Sequence, residues 1–458
     1  MCGIIGVYNN PEAATLAYMG LYAQQHRGQE GAGVISSDGT KLHRHMGQGL
    51  VSDVFSDSTI FETLPGHSSI GHVRYSTTGD SDPRNVGPLT FNVDDQFVSI
   101  AHNGNLVNLD QTRKDLQEDG ALFQTSTDTE IIIHLLAREK GHSIDERLEG
   151  ALKKVQGAFS LLMITPNEII AARDPHGIRP FCIGKLDNTY ILASETCALD
   201  LLGAEYVRDV RPGEIIVIND DGMHSRQFAP TTKSKHCIFE YIYFSRPDSQ
   251  IFGNNVDKMR REFGKVLSHE KPVESADIVI SVPDSSNTCA LGYSQSSGIK
   301  HEIGLIRNHY VGRTFIFPTQ FLRDLSVRLK FNTVKGVIEN REVVIIDDSI
   351  VRGTTLKKLV KLLRSSGAKK VHVRISSPPV KHPCFYGMDF PTTEELVAGQ
   401  HDVDEIMEII DADSLGYLSL DGALESTHLE KDNFCTACFS GDYPIPLKGD
   451  NGKAVFEG

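Results

Sequence analysis

Two stretches of this chain carry side chains whose types and spacing suit catalysis. In Val343-Val-Ile-Ile-Asp-Asp-Ser-Ile-Val-Arg-Gly-Thr-Thr355, four apolar strand-formers run into the adjacent carboxylates Asp347 and Asp348. A small-residue turn, Arg352-Gly-Thr-Thr355, follows, and then Leu356, Leu359, Val360 and Leu363 recur at helical spacing. The pattern predicts strand, acidic pair, phosphate-sized loop and helix, in that order. In an open α/β sheet, ligands sit beyond the carboxyl ends of strands, and a helix amino terminus offers free N–H groups to an anion. The acidic pair can accept hydrogen bonds from two sugar hydroxyls while the loop cradles a phosphate. The second stretch is the start, Met1-Cys-Gly-Ile-Ile-Gly-Val7. Removing Met1 would leave Cys2 with its thiol and a free α-amine on one framework. An unperturbed α-amine titrates at about 7.7–8.0 and a thiol at about 8.5, so the amine can act as the base for the sulfur. No hydrophobic signal segment precedes Cys2, so a secretory or lipoprotein start is not expected.

These residues need elements to hold them, and the chain changes character near residue 230. Before it, short strand patterns recur at Gly3–Val7, Val98–His102, Ser160–Thr165, Ile169–Arg173, Tyr190–Ala193 and Glu214–Ile218. Helical stretches at Pro11–Gln25 and Asp128–Lys140 interrupt them, the latter with Ile131, Ile132, Leu135 and Leu136 on one face. Strands with so few helices between them predict two stacked sheets covered by helices, an α+β sandwich. Pro230–Lys235 is the expected crossing. Beyond it, Ile278–Val282, Val343–Ile346 and Val371–Ser376 alternate with helical segments, the rhythm of a parallel sheet in an α/β domain. The expected domains are 2–230 and 231–458.

Composition narrows the partners. A chain of 458 residues exceeds one typical domain, and 40% hydrophobic with 23% charged residues is ordinary for a globular protein. A net charge of −14 without a basic cluster argues against nucleic acid. No apolar stretch approaches the roughly 18 residues that a membrane span needs. Eight scattered cysteines predict a reducing, cytoplasmic compartment rather than a disulfide framework.

Cys2, Gln25-His-Arg-Gly-Gln-Glu30, Gly71-His-Val-Arg-Tyr-Ser-Thr77 and Ala101-His-Asn-Gly-Asn105 together resemble the amino-terminal-nucleophile glutaminase domain of class II glutamine amidotransferases, an αββα sandwich. The acidic-pair segment resembles the ribose-5-phosphate signature of type I phosphoribosyltransferases, which bind phosphoribosyl pyrophosphate (PRPP). Over essentially its whole length the chain resembles the glutamine phosphoribosylpyrophosphate amidotransferase family. The resemblance implies that Cys2 attacks glutamine and that Asn103 and Gly104 form the oxyanion hole. Arg74 would take the substrate carboxylate, Asp128 its ammonium, and Arg27 would support the glutamine site. His26, His72 and His102 are expected to be structural, since the mechanism resembled uses the α-amine as base. The released ammonia would displace pyrophosphate from PRPP to give 5-phosphoribosylamine, the entry to purine synthesis. Ser349, Arg352, Gly353, Thr354 and Thr355 would surround the 5-phosphate, and Ser285, Asp347 and Asp348 would contact Mg²⁺. Leu305–Phe315 resembles the loop that closes over PRPP, with Arg307 where Lys is usual and His309 where Arg is usual. Feedback inhibition by purine nucleotides and a homodimer or homotetramer are also implied.

Cys237, Cys384, Cys435 and Cys438 resemble the ligands of one [4Fe–4S] cluster in the iron–sulfur branch of this family. Four thiolates suit such a cluster, and they suit zinc equally well on chemistry alone. Cys182, Cys197 and Cys289 lack paired spacing and are expected to be buried and unligated. Two other readings compete. Glucosamine-6-phosphate synthase and asparagine synthetase share the glutaminase half, but neither needs the acidic pair with Arg352-Gly-Thr-Thr355. A PRPP-sensing regulator would need no Cys2 and would carry a basic DNA-binding module.

Overall fold

The computed structural model describes residues 1–76, 82–94, 96–230, 232–309, 329–390 and 392–448. Among the described residues, the first half builds two antiparallel sheets packed face to face. One runs, in spatial order, Glu205–Asp209, Cys182–Leu186, Thr189–Ala193, Gly3–Tyr8, Ser68–Arg74, Gly31–Ser37 and Leu42–Gln48. The other runs Gly222–Gln227, Glu214–Asn219, Ile169–Arg173, Gln156–Ile164, Gln96–Val107 and Leu89–Val93.

Period-two alternation along each strand creates the layers. Ile4 points between the sheets, into a core with Ile35, Ile70, Leu162, Ile164 and Ile216. Its neighbours Ile5 and Val7 point the other way, onto Ala13, Ala17 and Leu21 of the helix Ala13–Ala23. The helices Thr129–Arg138 and Ile144–Leu152 cover the outer face of the second sheet through Ile131, Ile132 and Leu148. The result is the expected helix–sheet–sheet–helix sandwich.

The second half is built on a parallel sheet in the order Lys300–His301, Ile278–Ser281, Glu342–Asp347, Lys370–Ile375 and Ser414–Tyr417. Its central strands are apolar on both faces because helices cover both. Val344 and Ile346 pack towards Phe263, Leu267 and Tyr293 of the helices Val256–Glu270 and Asn287–Ser297. Val343 and Ile345 pack towards Leu356, Leu359, Val360 and Leu363 of the helix Thr354–Ser365. The chain crosses between the halves at His236–Cys237, which pairs in parallel with Phe434–Cys435. Among the described residues, no helix is long and apolar enough to cross a membrane.

The helices Val256–Glu270 and Asn287–Ser297 touch backbone to backbone. A Cβ on Gly264 would lie 2.0 Å from the Cys289 carbonyl oxygen, and one on Gly292 would lie 2.1 Å from that of Arg261. Both obstacles are main chain and cannot swing aside. Gly264→Ala therefore forces the helices apart at a cost on the order of 1–3 kcal/mol. A urea titration should show a lower midpoint with an unchanged slope.

Candidate active sites

Cys2 stands immediately before the strand Gly3–Tyr8, and the pairing of Gly3 with Val73 sets it next to Arg74. The thiol is buried and donates to the Tyr75 carbonyl at 3.6 Å. One pocket is lined by Cys2, Arg74, Tyr75, His102, Gly104 and Asp128. Four separate elements thus bring together residues that lie up to 126 positions apart in the chain. Gly104 sits within the strand Gln96–Val107 at φ +154°, where a Cβ would meet the Ala158 carbonyl oxygen at 2.0 Å, so no other residue fits. Asn103, fully buried beside it, donates its side-chain amide to Ser194 Oγ at 3.4 Å.

Asp128 caps this pocket just ahead of the helix Thr129–Arg138. Its Oδ2 accepts the Leu106 N–H at 2.7 Å, and its Oδ1 lies 3.6 Å from Nδ1 of His102. Burial works against the Asp128 carboxylate, yet His102 and the Leu106 amide hold its pKa below the ordinary value. Burial likewise opposes the His102 cation, and Asp128 overcomes it, so the His102 pKa is raised. His72 differs: burial pushes it down to about 3, with Arg74 and His102 acting in the same direction.

Arg27 lies behind the pocket, outside the lining, and is fully buried. Its Nε donates to the Cys2 carbonyl at 3.0 Å. Its Nη1 and Nη2 donate to the two Glu240 oxygens at 3.1 and 2.9 Å, and Nη1 also pairs with Glu195. Arg179 adds a second buried guanidinium, 3.4 Å from Glu240, whose Nε donates to the Tyr386 carbonyl at 2.9 Å. Motif reading missed Glu195, Arg179 and Glu240, because an isolated charge whose partner is 168 or 213 positions away leaves no local signature. Burial raises both carboxyl pKa values, but His26 and Arg27 around Glu195, and Arg27 and Arg179 around Glu240, bring both below ordinary.

Met1 is buried as well, and burial pushes its amine down to about 5.

The second site lies beyond the carboxyl end of Glu342–Asp347. Asp347 accepts the Ser286 hydroxyl at 3.3 Å and the Asp348 N–H at 2.9 Å. Asp348 accepts the Ser285 and Ser349 hydroxyls, each at 2.6 Å. Burial and the neighbouring carboxylate push Asp347 well up; burial raises Asp348 too, against the serines and Arg260. Gly353 turns the chain at φ +73°, and Thr354 and Thr355 open the helix with exposed side chains. Arg352 reaches out to Glu395 at 2.9 Å, and Arg307 donates to Asp284 at 2.9 Å. His309 is exposed, and residues 310–315 of the expected closing loop lie outside the described residues. Ser286, Asp284 and Arg260 were missed by sequence reasoning.

Cys237, Cys384, Cys435 and Cys438 come near one another at the crossing. Cys237 and Cys435 are register partners, and the Cys438 carbonyl accepts the N–H groups of Lys381 and His382 at 2.9 and 3.0 Å, which draws Cys384 in. Burial drives the thiols of Cys237, Cys435 and Cys438 up, and the other cysteines of the set act in the same direction. Among the described residues, no three His, Cys, Asp or Glu stand close enough to hold a single metal ion. Cys182, Cys197 and Cys289 are buried thiols.

A thiol-lined pocket on an αββα sandwich, joined to a parallel sheet with an acidic pair at its carboxyl edge, defines a glutamine amidotransferase coupled to a phosphoribosyltransferase-type domain. A glutamine amidotransferase domain model matches residues 72–201. The Bacillus subtilis amidophosphoribosyltransferase is 48% identical over 454 residues, covering 98% of this chain and 95% of the relative. The chloroplastic amidophosphoribosyltransferase 1 of Arabidopsis thaliana is 50% identical over 97% of this chain and 78% of its own length. The structure of the Bacillus subtilis glutamine PRPP amidotransferase complexed with ADP and GMP superposes with a TM-score of 0.93, at 47% identity and 98% coverage of both chains. The chain belongs to the amidophosphoribosyltransferase family.

Glu240 tests the buried charge network. Glu240→Ala leaves Arg27 and Arg179 facing a lost partner and should lower the unfolding free energy by about 3–5 kcal/mol. Because the folded pKa of Glu240 is depressed, its contribution is fully present above the unfolded value, about 4.3, and fades as pH falls through the folded one. Chemical denaturation at pH 7 and at progressively lower pH should show the difference between variant and parent shrinking in acid.

Proposed function

We propose that this chain releases ammonia from glutamine at the Cys2 pocket and adds it to PRPP beyond the acidic-pair strand. The products are 5-phosphoribosylamine, glutamate and pyrophosphate, the first step of purine nucleotide synthesis. The observation that carries the reading is the convergence of Cys2, Arg74, Gly104 and Asp128 on one pocket. Once Met1 is removed, the α-amine takes the thiol proton as sulfur attacks the carboxamide carbon, and returns it to the leaving ammonia. The Asn103 side-chain amide, after leaving Ser194, and the Gly104 N–H receive the oxyanion. Arg74 grips the α-carboxylate by its fork and Asp128 the ammonium. Arg27 acts one step removed, fixing the main chain of the nucleophile.

In the second half, the amino terminus of Thr354–Ser365 with Ser349, Arg352, Gly353, Thr354 and Thr355 receives the 5-phosphate. Asp347 and Asp348 face the ribose hydroxyls, and Arg307 faces pyrophosphate. Two carboxylates raised by burial, Asp347 further by Asp348 beside it, are a donor set short of positive charge, which fits Mg²⁺ held by Ser285, Asp347 and Asp348. When bound, Mg²⁺ would neutralise the departing pyrophosphate. The functional boundary is taken at 230/231, purine nucleotides such as ADP and GMP as feedback inhibitors, and a homodimer or homotetramer in the cytoplasm as the working form.

Cys237, Cys384, Cys435 and Cys438 are assigned to a [4Fe–4S] cluster. All are free thiols at one crossing, and Arg179 counters the burial that opposes the Cys237 thiolate. Four thiols with no other ligand type among them are the usual donor set of such a cluster, and zinc is the competing metal. The cluster would tie the C-terminal segment to the crossing.

Steady-state assays separate the halves. Cys2→Ala should abolish glutamine-dependent synthesis and retain synthesis from free ammonia; loss of both in a folded variant refutes the division. Asp347→Asn and Asp348→Asn should impair both syntheses while glutamine hydrolysis without PRPP persists.

For the cluster, anaerobically purified protein should be brown with about four irons and four sulfides per chain. It should bleach in air and lose thermal stability in Cys435→Ser. Colourless, fully active protein with zinc or no metal rules the cluster out.

A further inference from the structure

His102 lines the glutamine pocket, yet the chemistry above leaves it without a task. It is buried on the strand Gln96–Val107, between the Gly104 bend and Asp128. Its Nε2 lies 3.3 Å from the Ala158 carbonyl oxygen, which can only accept, so Nε2 carries a hydrogen. Its Nδ1 faces the Thr129 hydroxyl at 3.1 Å and Asp128 Oδ1 at 3.6 Å. The same hydroxyl lies 3.4 Å from Asp128 Oδ1.

This geometry has two self-consistent hydrogen arrangements. With Nδ1 protonated, the ring donates to Thr129 Oγ1, the hydroxyl donates to Asp128 Oδ1, and the imidazolium neutralises the carboxylate. With Nδ1 unprotonated, the hydroxyl rotates to donate to the ring and leaves Oδ1 open. Asp128 Oδ2 stays on the Leu106 N–H in both. The titratable groups facing the ring are Asp128, the Cys2 thiol from just ahead of the strand Gly3–Tyr8, and His72 from the strand Ser68–Arg74. His72 is held neutral by burial, and Arg74 lies beside it. Asp128 is therefore the group that stabilises a charged ring, and a ligand ammonium would compete for the same oxygen.

We infer that His102 is a positioning residue that holds Asp128 Oδ1 in the absence of glutamine and exchanges its Nδ1 proton for the substrate ammonium. The exchange balances as imidazolium plus carboxylate plus glutamine ammonium giving neutral imidazole, the ammonium–carboxylate pair and one proton released to buffer. The Thr129 hydroxyl reverses its direction as this happens. Glutamine affinity consequently rises with pH, up to tenfold per unit, until the free enzyme's His102 is itself deprotonated. The inference rests on the assignment of this pocket to glutamine.

The test is calorimetric titration of glutamine into full-length Cys2→Ala protein, which binds without turnover, in buffers of different ionisation enthalpy. The expected result is release of about one proton per glutamine below the His102 pKa, with the matching pH dependence of Kd. Both should vanish in Cys2→Ala with His102→Asn, and Thr129→Ser should preserve them. Binding without proton release, or the same release after His102→Asn, overturns the inference. If His102→Asn does not fold, the His102 ring resonance in Cys2→Ala protein decides. A ring that turns neutral on saturation with glutamine supports the exchange, and one that stays charged overturns it. No glutamine binding at any pH overturns the pocket assignment, and the inference with it.

Discussion

Arg27 is a buried cation whose charge has to be answered, and the answer comes from both halves of the chain. Glu195 belongs to the sandwich and Glu240 to the segment Glu240–Phe244 just past the crossing. A guanidinium with no exposure stays charged and is costly to bury without such partners, and a fork held at both prongs has one orientation. That orientation points Nε at the Cys2 carbonyl. The position of the Cys2 main chain is thus tied to carboxylates on both sides of the crossing. Arg179 extends the network to the Tyr386 carbonyl, and so to the loop that carries Cys384.

The two halves solve the same problem by different means. In the sandwich, strand pairing itself places the candidate residues: Gly3 against Val73 sets Cys2 by Arg74, and Gly104 against Phe159 sets the bend. In the parallel sheet the strand ends do so. Asp347 closes its strand, Ser285 and Ser286 follow the neighbouring strand, and their hydroxyls meet the carboxylates across the edge. One site is built within a sheet and the other at its rim.

Much of this was legible beforehand because it is local. Val343–Ile346 extended only to Glu342–Asp347, and Asp128–Lys140 shrank to Thr129–Arg138, with the apolar faces as read. The strands Gly31–Ser37 and Ser68–Arg74 escaped because Gly, Ala and Ser carry little hydrophobic pattern, although both are buried throughout. Lys300–His301 is too short for any period to register. The charge network was invisible for a different reason. Its members are ordinary Arg and Glu residues until folding puts them together, and only Arg27 fell inside a segment with a recognisable pattern.

The loop Pro383–Phe390 touches more of the molecule than its length suggests. Its Phe385 carbonyl accepts the Asn105 amide at 3.0 Å, Gly387 lies against the Gly104 main chain, and Asp389 accepts the Tyr75 hydroxyl at 3.2 Å. Around it, Met1, Val107, Ala158 and Ile178 from the sandwich share one core with Phe239, Tyr386, Phe434 and Phe439 from the other half. A core shared in this way does not divide into two self-sufficient pieces. Cutting the chain at residue 230 would expose a continuous apolar scar on each fragment, so the two halves are expected to melt as one cooperative body.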